Sequence, residues 1–319
     1  MGSQPYPFWT EGELDERRHK ARVLFKATWT PASLQADYAA MKKTCMAEVE
    51  ALMQATHNLR LLRNDPDFFN RGTKKAGRKL VDPARFMTVP LLSQSTLEVL
   101  GEDRKLAEIV VDFINPERFA WLKTGTKPTQ ADIERAVEAT ADLMALQRVE
   151  TQKRTAESKR QEIATRKTLE AAGLKFVEPS EVVKRAANAP TYRSARGIEN
   201  HNLYALLDLG EFTSEFKVAG AKCDLPVRLP SGFFLPLECK VSGEATNSIK
   251  RLIRETNGKR QSWRAEFGQQ PYTGAVIAGV FSMTTLRAAQ SENLLIFWEH
   301  EMEALSQFVA HGGNPRPRP

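Results

Sequence analysis

The chain has 319 residues, 41% hydrophobic and 27% charged, and its formal net charge of +7 suits a polyanionic partner without requiring one. That length buries a sizeable core in one large domain or two smaller ones, and no run of 18 apolar residues exists to span a membrane. Cys45, Cys223 and Cys239 sit at unrelated spacings that make neither a disulfide framework nor a zinc site, and the N-terminus lacks a secretory pattern, which points to a reducing cytoplasm.

Residues 1–125 show mostly helical periodicity. Residues 33–64 place Leu34, Tyr38, Met41, Cys45, Val49, Leu52 and Met53 three and four apart, an amphipathic helix behind a Pro31/Ser33 start. The Gly-, Pro- and Lys-containing stretch 64–83 reads as a loop, and 95–114 as helix interrupted near Gly101. Thr129 and Asp132 then cap a helical pattern running towards Gly173. Its first half has an apolar face of Ile133, Val137, Met144 and Leu146. Its second half is almost wholly polar, either a solvated connector between lobes, unbroken or broken midway, or a DNA-binding arm.

After residue 175 the texture changes. Short helices are expected around 179–189 and over 196–210, followed by strands at 212–223, 225–229 and 233–241. A helix over 247–267, kinked near Gly258, comes next. The buried-type run 272–281, a helix near 284–292, a strand at 293–300 and a closing helix complete the chain. This order implies an α/β protein: a mixed central sheet with flanking helices at 176–319, behind a mainly helical region at 1–175 serving DNA recognition, dimerisation or both.

The chemistry-bearing stretch is "KCDLPVRLPSGFFLPLECKVS", residues 222–242. Residues two apart on a strand share a face, so Glu238 and Lys240 stand together while Leu237, Cys239 and Val241 point the other way. The "LPSGF" turn folds Asp224 back towards Glu238. Two carboxylates so placed repel unless a cation lies between them. Mg²⁺ takes one or two protein carboxylates, and a neighbouring lysine can orient or deprotonate a metal-activated water. An exposed ion pair on a polar sheet face is the alternative reading.

The pattern of Asp224 and then Glu238-Cys239-Lys240, on the second and third strands of an αβββαβ core, resembles the PD-(D/E)xK nuclease superfamily. With "TNSIKRL", "AGVF" and "IFWEHEMEAL", the part from about residue 190 to 310 resembles the XamI-type family of type II restriction endonucleases. The resemblance implies a homodimer that cleaves double-stranded DNA with Mg²⁺ at a short palindrome, GTCGAC-like, beside a host methyltransferase that is no physical partner. It makes Asp224 and Glu238 metal ligands, with the Cys239 carbonyl as a third, and Lys240 the catalytic lysine. Glu199 takes the place of an additional acidic residue on the preceding helix. Cys223 stands where the superfamily's proline often sits.

The basic segment after the third strand supplies candidate DNA contacts. Asn247, Ser248, Lys250 and Arg251 can reach phosphates or base edges near a helix start, and Arg193 and Arg196 can flank the site. A repair nuclease, a junction resolvase, a non-catalytic DNA-binding protein and a helical scaffold are the competing readings.

Overall fold

Gly-Ala-Val-Ile-Ala-Gly at residues 274–279 has no polar side chain, as a strand covered on both faces requires. In the computed structural model it is the fifth strand of a six-stranded sheet. The structure describes residues 9–28, 30–70, 74–188, 191–193, 199–201, 206–218, 220–267 and 272–313. The chain packs as two compact units, one of residues 30–153 and one of residues 1–29 with 154–319. The change of texture near residue 175 follows chain order, whereas compactness joins the two chain ends. Among the described residues no helix is long and apolar enough to cross a membrane.

The sheet strands are β1 (Lys175–Phe176), β2 (Glu211–Phe212), β3 (Leu225–Arg228), β4 (Phe234–Ser242), β5 (Gly274–Gly279) and β6 (Leu295–Trp298), and they lie side by side in that order. β1 and β2 are parallel, β2, β3 and β4 antiparallel, and β4, β5 and β6 parallel. The core joins Leu225, Val227, Leu235 and Leu237 of the hairpin to Val276, Ile296 and Phe297. Helices Glu11–Ala27, Met283–Ser291 and Glu303–Ala310 cover it with Leu14, Leu286 and Leu305. Trp263, Phe297 and Trp298 are fully buried. β5 ends at Gly279, whose φ is +96°; a Cβ there would lie 2.1 Å from the Ser242 carbonyl oxygen. The protein is therefore mixed α/β, with a helical N-terminal region.

In the 30–153 unit, helix Pro31–Ala55 buries Cys45, Val49, Leu52 and Met53 against Val137, Ala141 and Met144 of helix Gln130–Ala171. Leu146, read as part of that apolar face, is exposed. The expected 33–64 helix is interrupted by His57, Asn58 and Leu59, all at positive φ. The expected loop over 64–83 contains the start of a helix, Lys74–Phe86, despite Pro83. Leu80, Val81, Ala84 and Phe86 pack into the core, and that burial outweighs the local breaker signals. The Gly101 break is present, between helices Gln94–Leu100 and Leu106–Phe113. Thr129 and Asp132 cap each other's backbone N–H groups, and the helix they start continues unbroken to Ala171.

Three further expectations change near the site. The polar second half of the long helix is not solvated all round, since Gln161, Thr165 and Leu169, each four apart, are fully buried. The single strand expected at 212–223 is three pieces, because Gly220 at φ +75° turns Phe216–Val218 back on Ala221–Cys223. Glu199–His201, expected in a helix, pairs as a strand with Thr191–Arg193. There, β-favouring Thr191 and Tyr192 supply the partner.

Candidate active site

The hairpin register builds the site. Leu225 pairs with Leu237, Pro226 with Pro236 and Val227 with Leu235, so one step further Asp224 stands opposite Glu238. The Leu229 N–H donates to the Phe233 carbonyl at 2.9 Å, which marks that pair as hydrogen-bonded. Pairs alternate along an antiparallel ladder, so Pro226/Pro236 and Asp224/Glu238 fall at the non-hydrogen-bonded, closer positions. Two prolines facing each other cost no ladder bond at such a pair. The same parity that accommodates them brings the two carboxylates together.

Asp224 lies at the bend between the Ala221–Cys223 ribbon and β3. Its Oδ2 accepts the Cys239 backbone N–H at 2.9 Å, replacing a ladder bond, and the Lys240 ammonium at 3.0 Å. Lys240 Nζ also lies 2.7 Å from Glu238 Oε2. Glu238 is fully buried, and its Oε2 takes a second ammonium, Lys259 Nζ, at 2.6 Å. Its Oε1 is buried with no hydrogen-bond partner among the described residues. A buried carboxylate is costly unless compensated, and two lysines compensate only one of these oxygens.

Burial works against the charge on Lys240, yet Asp224 and Glu238 outweigh it and hold the amine well above the usual lysine pKa. Lys240 is an ammonium here, a donor rather than a base. Burial pushes the thiols of Cys223 and Cys239 upward, so both stay protonated. Cys239 therefore offers a cation its carbonyl, not a thiolate. Its Sγ donates to Thr165 Oγ1 at 3.6 Å, tying β4 to the long helix.

Glu162, on the same helix as Thr165, belongs to this environment. Its carboxyl pKa is raised by burial first, then by the negative charges of Asp224 and Glu215, while Lys240 and Lys222 oppose the shift. Neither Glu162 nor Lys259 was singled out as a site residue by sequence. Glu162 lies in a charged helical run with no local signal. Lys259 carries no signal beyond its place in the basic segment after the third strand.

The structure thus brings Asp224, Glu238, Cys239 and Lys240 together. The backbone of Glu199 lies in a short strand opposite Arg193, not on a helix before the sheet, and the side chains of both lie outside the described residues, as does all of Arg196. Asn247 is in helix Ala245–Ile249, while Lys250 and Arg251 open a π-helical turn, Lys250–Thr256. Their side chains are also outside the described residues. That turn sets the helix irregularity before Gly258 rather than at it. Ser248, expected at DNA, is fully buried, with its hydroxyl facing the Ser282 N–H and Thr285.

Among the described residues no three His, Cys, Asp or Glu side chains gather in a ready-made metal cluster. The oxygen donors at hand are two carboxylates and a main-chain carbonyl. This suits Mg²⁺, which keeps several waters and uses few protein ligands. The unpartnered Glu238 Oε1 is the observation that fits a cation.

The model of the XamI restriction endonuclease family matches residues 70–298, which include the hairpin and both helical segments next to it. The type II restriction enzyme XamI of Xanthomonas campestris pv. amaranthicola is 27% identical over 208 residues, 60% of this chain and 69% of that protein.

Proposed function

Because the chain belongs to the XamI restriction endonuclease family, we propose that it is a type II enzyme hydrolysing phosphodiester bonds of double-stranded DNA at a short palindromic site, GTCGAC-like, with Mg²⁺. The observation that carries the reading is Lys240 Nζ bridging Asp224 Oδ2 and Glu238 Oε2 on adjacent strands. Asp224, Glu238 and the Cys239 carbonyl would hold the ion. Bound there, Mg²⁺ would supply Lewis acidity to activate water and offset charge on the phosphoryl group.

The remaining work falls to the chain. Asp224 keeps the Cys239 N–H, and so the β4 backbone, fixed beside the reacting phosphate. Lys240, as an ammonium, orients the attacking water and donates to the phosphate oxygen as its charge grows. Glu162 takes the part of the additional acidic group that the resemblance assigns to Glu199. The helix start behind β4 would bring Asn247, Lys250 and Arg251 to phosphates, flanked by Arg193 and Arg196. Ser248 has no part in this, because it is buried.

A palindrome calls for two sites related by a two-fold axis, hence a homodimer. The cell would need a cognate methyltransferase to protect its own DNA. The test is incubation with a plasmid of known sequence. Discrete fragments that map to one short site with Mg²⁺, and none with chelator, are expected. A smear without sequence preference, or intact plasmid, would overturn the assignment.

A further inference from the structure

Two lysines contact the same oxygen of Glu238, and they differ in how they are held. Lys240 is on β4 itself, its side chain 12% exposed, and it is anchored by Asp224 as well as Glu238. Lys259 reaches in from helix Asn257–Phe267, 24% exposed, and Glu238 is its ion-pair partner. Both ammoniums sit within 2.7 Å of Oε2, while Oε1 of the same buried carboxylate has no partner among the described residues. Like charges crowd one side of Glu238, and the other side is left for a cation.

The charges explain what that arrangement does. Asp224 and Glu238 carry two negative charges, and Lys240 and Lys259 two positive, so the four groups are neutral together. A divalent ion entering beside Glu238 meets both ammoniums at short range and little screening. One of them must withdraw. Lys240 is fixed by two carboxylates, Glu238 on its own strand and Asp224 beside β3, whereas among the described residues Lys259 is held by one ion pair at the end of a long side chain.

We infer that Lys259 is a displaceable counter-ion of Glu238, a positioning residue whose ammonium holds the carboxylate until a divalent cation replaces it and which thereby sets the metal affinity of the site. This rests on the metal reading above.

The experiment is calorimetric titration of the full-length protein with Mn²⁺, without DNA, for wild type, K259Q, K259R and D224N. Lys259→Gln keeps a hydrogen-bond donor and removes the charge; Lys240 still compensates Glu238, so folding is retained. Removing one ammonium competitor should tighten Mn²⁺ binding about tenfold in K259Q, while K259R stays near wild type. Unchanged or weaker binding in K259Q, alongside loss of binding in D224N, overturns the role of Lys259 and leaves the metal site standing. Binding in D224N equal to wild type removes the metal site itself, and with it this proposal. A lysine that only props the fold would shift the melting temperature of K259Q and leave its Mn²⁺ affinity where it was.

Discussion

Asp224 and Glu238 are both carboxylates of the same hairpin, but their surroundings give substitutions at them different consequences. The Asp224 side chain is 16% exposed and bonded through a single oxygen to one N–H and one ammonium. Asp224→Asn keeps an oxygen acceptor for the Cys239 N–H and removes only the charge. Lys240→Met keeps the stem packed and removes the donor. Each should lower the rate of plasmid cleavage about 10³-fold, with a melting temperature close to wild type. Glu238 offers no such clean substitution, because its loss strands two ammoniums around a buried position. Full activity in D224N or K240M, with Mg²⁺ supplied, would remove the site from this hairpin.

At the scale of elements, β1, β2 and helix Pro179–Asn188 are held by Glu211. Its carboxylate accepts from Lys175 Nζ at 2.8 Å, from Arg185 at 2.7 Å and from the Asp208 N–H at 2.9 Å. Burial alone would raise its pKa, but Arg185 and Lys175, with that N–H, bring it from 4.5 to about 2. The folded value lies below the unfolded one, so the stabilisation is complete above about pH 4.5 and disappears as pH falls towards 2. Its size is at most about 3 kcal/mol, less a share for Lys175, whose side chain is 73% exposed. Urea unfolding between pH 4.5 and 2 should therefore show a steeper loss of stability in wild type than in Glu211→Gln. Parallel curves would mean that Glu211 is not charged in the folded state as described.

The same elements show how much could be read from sequence. The hairpin was legible because alternation, β-favouring residues and the Pro-Ser-Gly turn all point to one register. The buried strands β5 and β6 were legible as apolar runs. The pairing of Glu199–His201 with Thr191–Arg193 was not, since a helical reading fits those residues equally well without a partner in view. Glu162 was not legible for a similar reason. Its place near Asp224 depends on the long helix burying Gln161, Thr165 and Leu169, a stripe with two polar members. Neither hydrophobic periodicity nor motif spacing marks such a contact.

At the scale of the molecule, the sheet unit is assembled from both ends of the chain, and Trp9 is where the ends are joined. Its indole N–H donates to the Ile296 carbonyl of β6 at 2.7 Å. Its backbone N–H donates to Gln290 Oε1 and its carbonyl accepts from Gln290 Nε2, both at 2.9 Å. The Arg17 guanidinium covers the ring at 3.9 Å and is itself paired with Glu301. The helix that follows carries Phe25 to within 3.8 Å of a Cβ at Gly243, just past β4. An N-terminal segment so placed supports β6 directly and, through β5, the strand that bears Glu238 and Lys240. Trp9→Ala leaves a large cavity and an unpartnered carbonyl, and should cost about 3–5 kcal/mol. In a unit of this size that lowers the melting temperature by roughly 6–20 °C. Trp9→Phe, which keeps most of the ring and loses the donor, should cost about 1 kcal/mol. Well below its melting temperature, W9A should still cut plasmid, since no reacting group is touched. A thermal melt of W9A that overlays wild type would mean the N-terminal segment does not hold the sheet, and the unit would then be residues 154–319 alone.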